Sequence, residues 1–185
     1  MEHFYQNIQG YNHNSIFYKQ TISELQDGAH IVEVGCLKGR SSSFVAVEII
    51  NSGKNIKFDC VDSWLVDNTE PMKIDSVDTR RSTPYEQFIK NMKPVENYYT
   101  PVHMSSVEAA ALYTDKSLDL VFLDADHTYQ SVRNDILAWL PKVKLGGILA
   151  GDDYNQRMFP GLVRATNELL KPLQINYVTW IYKNE

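Results

Sequence analysis

The sequence predicts an α/β fold built on a doubly wound, mostly parallel sheet with helices on both faces. Short apolar runs rich in β-branched residues alternate with segments of helical length along the chain, and glycines and acids gather where those runs end. Strands joined by helix-length crossovers pair in parallel with right-handed connections, and such sheets bind ligands beyond the carboxyl ends of their strands. The 185 residues are enough for one sizeable core and too few for two ordinary domains. Residues 1–185 are therefore read as a single domain.

The N-terminal segment, 1–28, is helical: SIFYKQTISELQ spaces Ile16, Phe17, Ile22 and Leu25 along a helix, and Asp27-Gly28 stops it. HIVEVG reads as the first strand. FVAVEII reads as a helix despite its β-branched residues, because a strand there would leave no crossover. KFDCVD is a second strand. The polar stretch 63–83 is a candidate lid, and PYEQFIKNM is a helix opened by Pro84. YTPVHM is a third strand weakened by Pro101, and SSVEAAALY is a short helix led by serine. LDLVFLDA is the most strand-like run. TYQSVRNDILAWL places Val132, Ile136, Trp139 and Leu140 on one helical face and halts at Pro141. GGILAGDD is a fifth strand, GLVRATNELL a helix after Pro160, and INYVTWIYKN one last strand or a compressed hairpin.

Composition excludes several functions. Hydrophobic content of 43% with 22% charged residues is ordinary for a globular chain. A net charge of -5 with scattered lysines and arginines argues against a nucleic-acid partner. No apolar run approaches the roughly 18 residues that cross a bilayer, and the N-terminus has no charged start followed by an apolar stretch, so no membrane association and a cytoplasmic location are expected. Cys36 and Cys60 lack metal-ligand spacing and read as buried free thiols. A small-molecule partner fits best, and a homo-oligomer is compatible.

The strand ends carry the chemistry. EVGCLKGRS offers Gly35 and Gly39 for a tight turn, with Ser41 near the next helix start, which lets backbone N–H groups approach a ligand; a purely structural turn is as good an account of these glycines alone. The dinucleotide fingerprint is missing, since a single glycine lies between Val34 and Lys38, and that counts against a nicotinamide oxidoreductase. Asp62 closes the second strand 27 positions after Gly35, where doubly wound folds place the acid that accepts from ribose hydroxyls. A cap toward Ser63 and Trp64 is its bland alternative. LDADHTY and AGDDY bring Asp124, Asp126, His127, Asp152 and Asp153 to two consecutive strand ends. Carboxylates this close need a proton or a cation between them, and oxygen ligands favour a hard ion such as magnesium. Asp126 is read as a helix cap, Asp124, Asp152 and Asp153 as metal ligands, and His127, with Asp124, as a catalytic group in proton transfer. His3, His13, His30 and His103 have no acidic company in the sequence and are read as ordinary.

From about Ile31 to Ala165 these motifs resemble the Rossmann-like class I methyltransferases that use S-adenosylmethionine, and more narrowly the magnesium-dependent O-methyltransferases of the catechol, cephalosporin-pathway and macrolide-sugar types. The resemblance implies that Glu33, Gly35, Gly39 and Ser41 wrap the methionine and ribose portions of the cofactor, Asp62 binds the ribose, and Ser105 and Ser106 flank the adenine. It further implies a divalent metal, magnesium by type, at Asp124, Asp152 and Asp153, and in-line methyl transfer to a hydroxyl of a sugar, phenol or natural-product intermediate. The chain departs from the catechol type in having His127 where a lysine is usual and an Asp-Asp pair in place of Asp-Asn. It is also expected to have the seventh strand abbreviated or absent. A metal-independent methyltransferase and a non-catalytic S-adenosylmethionine-binding protein are the alternatives. Trp64, Tyr129, Tyr154 and Phe159 could stack on an acceptor, although core packing explains aromatics more often.

Overall fold

A computed structural model describes residues 1–65 and 83–185. Most of the proposed lid, residues 66–82, lies outside the described residues. The seven strands are β1 (His30–Val34), β2 (Lys57–Asp62), β3 (Thr100–His103), β4 (Leu118–Leu123), β5 (Val143–Gly151), β6 (Gln174–Asn176) and β7 (Thr179–Lys183). They lie in the order β3-β2-β1-β4-β5-β7-β6. The first five pair in parallel, and β7 and β6 add antiparallel. The chain runs outward from β1 to β3 and restarts on the other side with β4. The switch point, where ligands collect in such sheets, thus falls between β1 and β4.

The helices are α1 (Ser15–Glu24), α2 (Arg40–Ser52), α3 (Pro84–Met92), α4 (Ser106–Ala110), α5 (Tyr129–Trp139) and α6 (Pro160–Leu169). Strand alternation divides the core between two faces. Ile31, Leu120 and Phe122 pack with residues of α1, α2 and α3, while Val32, Val34, Val121 and Leu123 pack with residues of α4, α5 and α6. Phe122 shows how tight the first face is, its ring lying 5.5 Å from that of Phe17 and 4.8 Å from that of Tyr18. Truncating such a side chain costs about 3–5 kcal/mol.

Local chemistry sets the element ends. α2 begins at Arg40, earlier than the apolar run FVAVEII, because Gly39 at φ 85 supplies the left-handed residue before it and the serines are accommodated in its first turn. Gly53 at φ 66 ends it. α3 starts on a capping box in which Thr83 and Glu86 satisfy each other's backbone N–H, with Pro84 in the first turn. Pro101 pairs with Cys60 in β3, an edge strand, where a missing N–H costs least. Of the two readings of the last segment, the hairpin is the one observed: Gln174 to Lys183 turns at Tyr177 with φ 59, so that the seventh strand is present and only its absence is corrected, with β6 of three residues and β7 of five. The hairpin is short enough for its alternation to read as one strand.

Candidate functional site

Three loops meet beyond the carboxyl ends of β1, β2 and β4. Gly35 leaves β1 at φ 95, and a Cβ there would stand 1.9 Å from the Asp124 carbonyl oxygen. The turn after β1 and the end of β4 therefore touch, backbone to backbone, and only glycine permits it. The turn is held from beside by Asp62, whose Oδ2 accepts the N–H groups of Cys36 and Leu37 at 2.8 Å each. Its Oδ1 accepts from the Trp64 N–H at 2.6 Å. The bland reading of Asp62 as a cap toward Trp64 is thus realised. By lone-pair count, only Oδ1 keeps an acceptor position for a ribose hydroxyl. Trp64, 6% exposed, returns the favour through Nε1, which donates to the Leu37 carbonyl at 2.8 Å. Leu37 at φ 45 and Trp64 at φ 45 are non-glycine residues in the left-handed region, a cost of order 1–3 kcal/mol each that the braces sustain.

Glu33, expected to touch the cofactor, is buried and already has protein partners. It is 1% exposed and lies on the α1/α2 side of β1, where it accepts from Tyr18 at 3.0 Å and from Ser42 and Ser41. Burial pushes its carboxyl up, and the three hydroxyls offset part of that rise. Ser41 therefore faces Glu33 too, while Gly39 opens α2 without a side-chain cap. Of the adenine pair, Ser105 is exposed and donates to Glu108 at 2.5 Å. Ser106 turns to α5, accepting from Trp139 Nε1 at 2.9 Å and bonding Asp135.

The acidic cluster differs from the expected trio by one member. Asp124, His127 and Asp153 offer ligand atoms that all lie within 4.8 Å of one another. His127 Nε2 stands 3.0 Å from Asp153 Oδ2 and 3.8 Å from Asp124 Oδ1. Asp152 does not join them. It is 5% exposed, accepts the Asp153 N–H at 2.7 Å and a donor from Asn14, and so steadies the loop from behind. Asn14 in turn accepts from Thr179 at 2.5 Å, tying the N-terminal segment to β7. The physical reason for the exchange is the backbone of Asp153, whose φ of 60 swings its carboxylate toward β4. Asp126 caps as expected, accepting from the Thr128 N–H at 2.8 Å and from Ser131 at 2.6 Å.

Electrostatics in the cluster are strongly perturbed. Burial, together with the nearby Asp152 and Asp153 charges, raises the Asp124 carboxyl to about 7 against the opposing pull of His127. Burial alone would lower His127, but hydrogen bonding and charge from Asp124 and Asp153 outweigh it and bring the imidazole up to about 10. Nε2 nevertheless has no well-directed hydrogen bond, although it is buried. An imidazole nitrogen within reach of two carboxylates is also a donor set for a divalent cation, which would displace the proton these acids otherwise hold there. Phe159, with its ring 4.4 Å from that of His127, fixes the imidazole plane. The other aromatics marked in the sequence are committed elsewhere: Tyr129 to Glu168 and Arg164, and Tyr154 to Asn167. Asn14, the Trp64 brace and the Phe159 stack carried no signal in residue spacing.

A family described as a methyltransferase domain matches residues 32–154, which takes in the glycine turn, Asp62 and the whole cluster. The chain belongs to that methyltransferase family. Its seven-stranded sheet is that of the class I S-adenosylmethionine-dependent enzymes. A Staphylococcus aureus protein provisionally described as a caffeoyl-CoA O-methyltransferase superposes with TM-score 0.66 at 15% identity, covering 97% of this chain and 87% of that one. The O-methyltransferase NovP gives 0.65 at 16% identity over 92% and 79%. A calicheamicin methyltransferase gives 0.64 at 14% identity over 92% and 77%. These likenesses are of fold. An uncharacterized protein of Acanthamoeba polyphaga mimivirus is 36% identical over 58 residues, 31% of this methyltransferase chain and only 26% of the viral protein. No helix among the described residues is long and apolar enough to cross a membrane.

Proposed function

We propose that this methyltransferase transfers the methyl group of S-adenosylmethionine to a hydroxyl of a small molecule, assisted by a divalent cation. The observation that carries the reading is the meeting of Asp124, His127 and Asp153 beside the Gly35 turn, with His127 Nε2 buried and undirected. When bound, the cofactor supplies an electrophilic sulfonium methyl, and a cation such as magnesium lowers the pKa of the acceptor oxygen. The turn from Gly35 to Gly39, the uncapped start of α2 and the free position on Asp62 Oδ1 fit a nucleoside-bearing cofactor. Asp124 and Asp153 neutralise and orient, and Asp152 holds the Asp153 backbone in place. Placing the hydroxyl and methyl in line supplies much of the acceleration in such transfers. Sugar and phenolic acceptors are the substrate classes in view, because structural relatives are described as a rhamnose 3'-O-methyltransferase and a caffeoyl-CoA enzyme.

A second, metal-free reading is favoured by one observation. An acid near 7 beside an imidazole near 10 is already an acid–base pair, with Asp124 taking the acceptor's proton and the His127 cation stabilising the oxyanion. Methyl transfer to a panel of catechols and sugars, with and without chelator, separates the two. Loss with chelator and recovery with magnesium supports the cation, unaltered turnover in chelator establishes the metal-free pair, and no calorimetric binding of S-adenosylhomocysteine refutes both.

A further inference from the structure

A second polar feature of the molecule is not used by the cation cluster. A cleft of about 660 Å³ lies between the N-terminal segment and α3, lined by Asn7, Gln9, Lys38, Glu86, Lys90 and Asn91 among others. Its volume is in the range of small-molecule sites. Lys38 is 4% exposed, and its ammonium donates to the neutral Gln9 side chain at 2.6 Å. Among the described residues no carboxylate forms an ion pair with it. The cleft's own acid, Glu86, is committed to the Thr83 N–H at 2.8 Å. Lys90 adds a second positive charge, so the lining is net positive on a chain whose net charge is -5. A buried ammonium that no described carboxylate pairs is costly unless something anionic completes it. Desolvation accordingly depresses the Lys38 amine.

The cleft is also close to the site. Three Cα steps, at most about 11 Å, separate Lys38 from Gly35, which touches the Asp124 backbone. Asn91 donates to the Lys38 carbonyl at 2.9 Å and fixes that turn against α3. We propose that this cleft is an oxyanion subsite for the methyl acceptor, in which the Lys38 ammonium holds a carboxylate or phosphate of the acceptor molecule. Naming the ligand an acceptor rests on the O-methylation reading above, whereas the anion site is tested by binding alone.

Calorimetry on the full chain compares glucose 1-phosphate with glucose, and 3,4-dihydroxybenzoate with catechol. In at least one pair the charged member is expected to bind about tenfold tighter or better. Lys38→Met is expected to erase that preference. Equal affinities within both pairs overturn the subsite. If Lys38→Met weakens S-adenosylhomocysteine but spares its decarboxylated analogue, the ammonium serves the cofactor's carboxylate and the proposal also falls. If the variant does not fold, mass-spectrometric acetylation of the exposed Lys90 in the wild-type protein decides: protection by glucose 1-phosphate but not by glucose, or by 3,4-dihydroxybenzoate but not by catechol, supports the subsite, and equal labelling within both pairs refutes it. A persistent charge preference in a chain that methylates no acceptor would retain the anion site and remove only the name of its ligand.

Discussion

Gly35→Ala separates two costs that usually travel together. A left-handed backbone costs an ordinary side chain about 1–2 kcal/mol whatever its surroundings. Gly28, at φ 81 with nothing within 4 Å of its imagined Cβ, isolates that cost. At Gly35, φ 95, the same methyl would lie 1.9 Å from the Asp124 oxygen, 2.4 Å from its carbonyl carbon and 2.9 Å from the Ala125 nitrogen. These are backbone atoms of the two residues that follow β4, so relief requires the turn after β1 and the end of β4 to part by more than about 1 Å, at an added cost of about 1–3 kcal/mol or more. Gly28→Ala should therefore lose about 1–2 kcal/mol and Gly35→Ala about 2–5, read from urea unfolding followed by tryptophan fluorescence. The displaced Asp124 should also cost about 100-fold in turnover, since catalytic groups tolerate little misplacement. Equal destabilisation of the two variants would show that the turn and the strand end do not abut, and the account of the site's geometry would fail.

Two further outcomes follow from the charges. Asp124 and His127 are both raised on folding, to about 7 and about 10, so each contributes stability at low pH that is lost as pH rises, through 7 for Asp124 and through 10 for His127. Metal-free protein should become less stable between pH 7 and 10, and His127→Gln should flatten that slope by about 2 kcal/mol; an unchanged slope removes the imidazolium from the cluster. Asp59 behaves oppositely. Burial would raise it, but His30 at 2.7 Å, with Lys57 and Tyr113, holds it below the usual carboxylate range, so its contribution is lost as pH falls through the acid range. Asp59→Ala should cost about 3 kcal/mol in denaturant melts while leaving S-adenosylhomocysteine affinity as in the wild type; a weakened affinity would couple this pair to the site.

β1, β2 and β4 are legible because each is a short apolar run whose alternate residues face two helical layers. The same alternation puts Glu33 on the side of Ile31, beneath α2, so its burial was readable from β1 alone; weight given to the motif obscured it. Asp152 and Asp153 are a different matter. They follow the last residue of β5, Gly151, where alternation lapses. Which of the two carboxylates enters the cluster is decided by one backbone angle at Asp153, and no side-chain pattern encodes that angle. His127 is legible from the company of acids on either side, and it stands among the ligands 3.8 Å from Asp124 and 3.0 Å from Asp153. His30 was read as ordinary, yet its acidic partner Asp59 lies 29 residues away on the neighbouring strand, where sequence proximity has nothing to say.

Asn14 joins Asp152 and Thr179 across 165 residues of chain. A nascent polypeptide that has just passed Asp153 possesses every acid of the cluster but not the strand that clamps the loop behind it. The loop that carries Asp153 is thus clamped only once β7 has been made and Asn14 has met Thr179.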